Sequence, residues 1–78
     1  MKSDEVLQQI GAFLQVPASK LNRDAVLTEL VHDSFRLVEL VIELQESTGA
    51  RLEQEHLRPI KTVGDLADLV ARRAPTGA

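Results

Sequence analysis

Few side chains in this 78-residue chain can do chemistry, and that shortage narrows its function. With no cysteine there is no thiolate nucleophile, no disulfide framework and no sulfur ligand for a metal. The two histidines, His32 and His56, lack the His-x-x-x-His spacing that sets two imidazoles on one helix face around zinc, so no metal site is expected. Ser34 is a possible nucleophile, but His32 stands two residues before it in an expected turn, where the two side chains do not face one another. No Gly-x-Ser-x-Gly elbow surrounds it. A hydroxyl needs a base within hydrogen-bond reach and a third group to orient that base. No catalytic residue is therefore expected, and a helix cap is a sufficient structural account of Ser34. A small hydrolase built on Ser34 and His32 stays as a competing reading, as does a helical adaptor that binds other proteins.

The elements that hold Ser34 read as all-α. Ser3 is a fitting N-cap, Asp4 and Glu5 occupy a first turn, and Val6, Leu7, Ile10, Phe13 and Leu14 recur at helical spacing, predicting a helix over about 3–15 that Pro17 ends. Residues 17–33 show little periodicity and read as a long loop pinned to a core by Leu21, Val26, Leu27 and Leu30. Asp33 and Ser34 supply a cap for the central helix, about 34–47, closed by Gly49. A short helix is expected over about 53–57, before Pro59, and a last one over about 62–73, where Asp65 takes the place of the usual Glu in a capping box with Thr62. Residues 74–78 read as a frayed tail. Residues 1–78 thus make one small domain, with an aliphatic core in which Phe13 and Phe35 are the only aromatics.

The central helix carries apolar residues on two sides. Leu37, Leu40, Val41 and Leu44 form the i, i+3, i+4, i+7 stripe of a helix packed on its neighbours. Phe35, Val38 and Ile42 fall on another side, with Glu39 and Glu46 beside them. Two readings stay open: a helix buried on several sides, or a ridge on which partners dock. Residues 24–55 hold eight carboxylates against Arg36 and Arg51, while the remainder of the chain is net positive, so the overall charge of −3 is concentrated around this helix. That balance favours basic partners over nucleic acid or an anionic membrane. The apolar runs are too short to span a bilayer, and residues 1–5 lack a secretory signal, so a cytoplasmic protein is expected.

The stretch Asp33-Ser34-Phe35-Arg36-Leu37-Val38-Glu39-Leu40-Val41 resembles the attachment motif of the acyl carrier protein family, Asp-Ser-Leu followed by an apolar and acidic helix. Glu43-Leu44-Gln45-Glu46 followed by Gly49 looks like the end of that family's second helix, and Ile60-Lys61-Thr62-Val63-Gly64-Asp65-Leu66 is similar to the start of its fourth. The resemblance spans about residues 3–73. It implies a four-helix bundle of the acyl-carrier type, with a long loop between helices 1 and 2 and a short third helix. It further implies a 4′-phosphopantetheine arm attached to Ser34, thioester-bound acyl intermediates, and no catalysis by the chain itself. By the same comparison Asp33 helps a phosphopantetheinyl transferase recognise the site. Phe35, Val38, Glu39, Ile42 and Glu46 would meet partner enzymes such as an acyltransferase or acyl ligase and a ketosynthase, with the carrier a monomer.

Three positions depart from the family pattern. Val31 stands where Gly is usual two residues before the Asp, Phe35 replaces Leu, and Arg36 puts a positive charge at the partner-facing end of the helix. A carrier serving a few enzymes can drift in this way, which points to polyketide or related specialised biosynthesis. Primary fatty-acid synthesis and freestanding aminoacyl or peptidyl carriage are the alternatives, although Asp33 speaks for the acyl over the peptidyl type. Met1 and the short tail fit a discrete protein.

Overall fold

Apolar side chains at helical spacing build α1 over Ser3–Leu14. The structure, a computed structural model, describes residues 2–17 and 19–74. Ser3 is the first helical residue and not the cap: Lys2 takes the cap position in an extended conformation with no side-chain hydrogen bond. The Ser3 hydroxyl instead accepts from the Arg23 guanidinium at 3.2 Å. Nor is it Pro17 that ends α1. Gln15 already has a left-handed φ of 57°, and its N–H and that of Val16 both return to the Gly11 carbonyl.

The connection to the central helix is not loop throughout. Leu27–Leu30 forms one helical turn, α2, whose Leu27 is buried and whose Leu30 packs against the core. The residues before α2 are fastened to the far end of the chain. Leu27 N–H donates to the Lys61 carbonyl at 2.9 Å, and Val63 N–H to that of Ala25 at 2.8 Å, around an antiparallel bridge between Val26 and Thr62. A four-residue helix leaves no periodic signal, and its neighbouring strand-like pairing is made with residues remote in sequence, so local patterning could not reveal either.

The central helix α3 runs Ser34–Thr48. Asp33 alone is its N-cap, accepting from Phe35 N–H at 2.9 Å, so Ser34 is the first helical residue and serves no capping role. Gly49 closes α3 with a φ of 77°, a conformation that costs glycine little, and donates to the Gln45 carbonyl at 2.9 Å. The short helix α4, Gln54–Leu57, starts from Glu53 in a capping box with His56. Helix α5, Val63–Arg73, starts from the Thr62–Asp65 box expected of its sequence. Ala74 is buried, with its N–H on the Val70 carbonyl at 2.8 Å, so fraying does not begin there; residues 75–78 of the expected tail lie outside the described residues.

α1 packs most extensively on α5 and next on α3, and α3 also meets α5. Val6 and Ile10 of α1, Leu40 and Leu44 of α3, and Val63, Leu66 and Val70 of α5 are each less than 2% exposed. Burying such a side chain contributes roughly 1.5–3 kcal/mol. Among the described residues no helix is long and apolar enough to cross a membrane.

Candidate functional site

Ser34 stands exposed at the head of α3, where the chain turns from the α2 connection into the longest helix. Its hydroxyl makes no hydrogen bond among the described residues, and His32, also exposed, does not pair with it. The Ser34–His32 hydrolase therefore lacks its base. The head of α3 does suit an anion. The first-turn N–H groups of a helix have no intrahelical partner and carry the positive end of the peptide dipoles; that of Phe35 is taken by the Asp33 carboxylate, and the others favour a phosphate bonded to Ser34. The donor set thus fits a phosphodiester-linked group.

Two anchors set this corner. Val31, the residue in place of the family's glycine, is buried and extended at φ −123°, with its N–H on the Leu27 carbonyl at 2.7 Å. Its conformation requires no glycine, and it lies buried just ahead of Ser34. Arg36 is turned toward α1: its guanidinium lies 4.4 Å from the Phe13 ring centroid and donates to the Phe13 carbonyl at 3.2 Å. The Arg36 side chain remains exposed, so its positive charge stays at this end of α3. Stacking on an aromatic face and bonding the carbonyl-rich end of α1 orient that charge at the bundle surface.

Of the two readings of the central helix, the structure supports the open ridge. Phe35 is 71% exposed, Val38 55% and Ile42 48%, and Glu39 and Glu46 beside them are exposed. Leu40 and Leu44 are buried and Leu37 and Val41 half-buried, so the core stripe lies where its spacing placed it.

Two further features lie outside the helical patterning. The first is a cavity of about 310 Å³ beside α3, lined by Leu37, Val38, Val41, Ile42 and Gln45 of α3, by Gln54 and Leu57 of α4, and by Leu27, Ile60 and Leu66. It exists because the short α4 stands off the half-buried side of α3, a distance no local pattern encodes. The second is a clamp on the connection that leads to Ser34. Gly64 N–H donates to the Arg23 carbonyl at 2.9 Å, and a Cβ on Gly64 would stand only 2.9 Å from that same oxygen and from the Arg23 Cβ. The Arg23 side chain continues the clamp to Ser3 and, at 2.5 Å, to Asp68. This bond holds the Asp68 carboxyl below the usual carboxylate range and raises the guanidinium of Arg23 above its ordinary value. The N–H groups of Thr62 and Lys61, each 3.2 Å from Asp65 Oδ2, lower the Asp65 carboxyl. A glycine in the first turn of α5 was the one sequence signal of this close approach.

Glu53, Glu55 and His56 are a grouping with metal-ligand atoms within 4.8 Å of one another. Glu53 and His56 are already engaged in the α4 cap, where Glu53 N–H donates to His56 Nδ1 at 3.2 Å, and a helix N-terminus disfavours a cation.

The fold is a compact helical one that presents an exposed serine at the head of an acidic, apolar-ridged helix. A family model described as phosphopantetheine attachment site matches residues 4–70. An acyl carrier protein of Saccharopolyspora erythraea is 40% identical over 80 residues, covering 96% of this chain and 84% of that protein. Acyl carrier protein 2 of Ralstonia nicotianae is 35% identical over 75 residues, covering 90% and 93%. In fold, the chain is similar to the crystal structure of an acyl carrier protein from Thermotoga maritima, with a TM-score of 0.76 over 94% of this chain and 91% of that one at 22% identity. The chain belongs to the acyl carrier protein family and carries phosphopantetheine.

Proposed function

We propose that Ser34 bears the 4′-phosphopantetheine arm and that this carrier delivers acyl thioesters to the enzymes of a polyketide or related specialised pathway. The observation that carries the attachment is the exposed Ser34 hydroxyl at the head of α3, unbonded among the described residues. In the loading step its oxygen forms a phosphodiester with the phosphopantetheine phosphorus of coenzyme A, and adenosine 3′,5′-bisphosphate leaves. The hydroxyl proton passes to the phosphopantetheinyl transferase, which accounts for the lack of a base beside Ser34. Once bound, the arm supplies the thiol that this cysteine-free chain lacks.

Asp33 keeps the serine at the helix head by capping α3, and its carboxylate marks the site for the transferase. Phe35, Val38 and Ile42 offer apolar contact to an acyltransferase or acyl ligase and to a ketosynthase, while Glu39 and Glu46 attract their basic patches. Such contacts must be brief, because one carrier serves several enzymes in turn. The exposed Phe35, in place of the family's usual Leu, changes the ridge at the end nearest Ser34 and supports a restricted set of partners. The chain acts as a monomeric cytoplasmic carrier with no catalytic group of its own.

Intact mass after incubation with coenzyme A, magnesium and a broad-specificity phosphopantetheinyl transferase tests the attachment. Wild type is expected to gain one phosphopantetheine and Ser34→Ala none. A gain by both proteins would place the arm elsewhere, and a gain by neither would move the adaptor reading to first place.

A further inference from the structure

The cavity beside α3 is lined by eight apolar side chains and two carboxamides, and along α3 its apolar residues all lie nearer Ser34 than Gln45 does. Leu37 and Val38 line it within about a turn of Ser34. Gln45 lines it two turns further on, about 10 Å beyond Val38 at 1.5 Å per residue. Gln54, the first residue of α4, is the other carboxamide in the lining.

Gln45 is oriented by the chain itself. A backbone N–H can only donate, and that of Leu52 meets the Gln45 side chain at 3.0 Å, so the atom facing Leu52 is the carboxamide oxygen. The Nε2 group is then left with two donors, neither of which is used among the described residues. A donor set at the far end of an apolar cavity discriminates between cargoes of equal length. A fully reduced chain that reached Gln45 would strip water from the N–H2 group and return nothing, whereas a chain with an oxygen at that depth accepts a hydrogen bond.

We propose that Gln45 is a specificity-determining residue, and that it selects acyl cargo bearing a keto or hydroxyl oxygen near its far end over a fully reduced chain of the same length. The inference rests on the carrier reading above, because the cargo reaches the cavity only if the arm is on Ser34.

The test loads the whole protein with octanoyl, 7-oxooctanoyl or 7-hydroxyoctanoyl groups from their coenzyme A thioesters and confirms each product by intact mass. Cleavage of the thioester by hydroxylamine, divided by the rate for the same acyl group on free pantetheine, reads how much of the cargo stands outside the cavity. On wild type, 7-oxooctanoyl is expected to be released roughly fivefold more slowly than octanoyl, the factor that one net hydrogen bond supplies. Gln45→Glu keeps an acceptor for Leu52 N–H but removes the donors. It should abolish the advantage of the oxo chain while the hydroxy chain, which can donate to a carboxylate, keeps its own. Equal normalised rates for octanoyl and 7-oxooctanoyl on wild type overturn the inference, and so does an oxo advantage that survives Gln45→Glu. The wild-type comparison decides the matter even if the variant folds poorly. If no acyl-phosphopantetheine mass is gained, the carrier reading falls and the inference with it.

Discussion

At the scale of single residues, Asp33 and Ser34 divide two tasks that their adjacency makes hard to separate. Asp33 caps α3 through Phe35 N–H, and Ser34 presents a hydroxyl that no neighbour holds among the described residues. Asp33→Ala should therefore cost about 1 kcal/mol of stability from the lost cap. Asp33→Asn keeps a capping oxygen and should cost only a few tenths. If the carboxylate also marks the site for the transferase, both variants should be modified more slowly by a similar factor, as read from initial rates of mass gain. A rate loss confined to Asp33→Ala would instead assign the effect to the cap.

At the scale of elements, the path to Ser34 is held by the start of α5. The bonds from Leu27, Val63 and Gly64 tie residues 23–27 to residues 61–64, and α2 and the buried Val31 follow directly. The Thr62–Asp65 stretch that carries the family resemblance is thus the anchor of the connection leading to the attachment serine. Gly64→Ala would force its Cβ against the backbone and Cβ of Arg23, neither of which can swing aside. A loss of roughly 1–3 kcal/mol is expected, measurable by thermal unfolding followed through the helical circular dichroism signal. A neutral result would show that the clamp yields freely. Helices α1, α3 and α5 were legible because each sustains its apolar period, with the Asp33 cap and Gly49 bounding α3 and the Thr62–Asp65 box opening α5. Ser3 misled because its hydroxyl is drawn to Arg23, and α2 was missed because its stabilising partners are distant in sequence.

At the scale of the whole molecule, charge governs both encounter and acid stability. The carboxylates gather around α3, and Glu39 and Glu46 stand exposed beside the apolar ridge. Replacing both by Lys should lower kcat/KM with a partner enzyme by about tenfold or more at low salt, with the difference shrinking as salt is raised. The melting temperature should barely move, since exposed surface changes cost about 0.5 kcal/mol or less. Unchanged transfer at low salt would remove this face from docking. Asp65 and Asp68 are held below the usual carboxylate range by the N–H groups of Thr62 and Lys61 and by Arg23. A carboxyl with a depressed folded-state value adds stability above its unfolded value of about 4, and that stability is lost as pH falls through the folded value. Melting temperatures measured from neutral pH downward should fall below about pH 4. Asp65→Asn and Asp68→Asn should flatten that fall.

The class of this protein follows from its sequence: helical periods at about 3–15, 34–47 and 62–73, the Asp33-Ser34 pair at a helix head and the Thr62–Leu66 stretch are local patterns that need no neighbours to be read. Only the tertiary structure decided what those patterns face. Phe35, Val38 and Ile42 stand open to solvent, and Arg36 lies over the Phe13 ring because α1 brings that ring within its reach. The cavity with Gln45 at its far end exists because α4 stands beside α3 at a set distance. Side-chain periodicity reports which face a helix buries, but spacing between elements is set by packing across the chain, and that information is spread over residues that no local window contains.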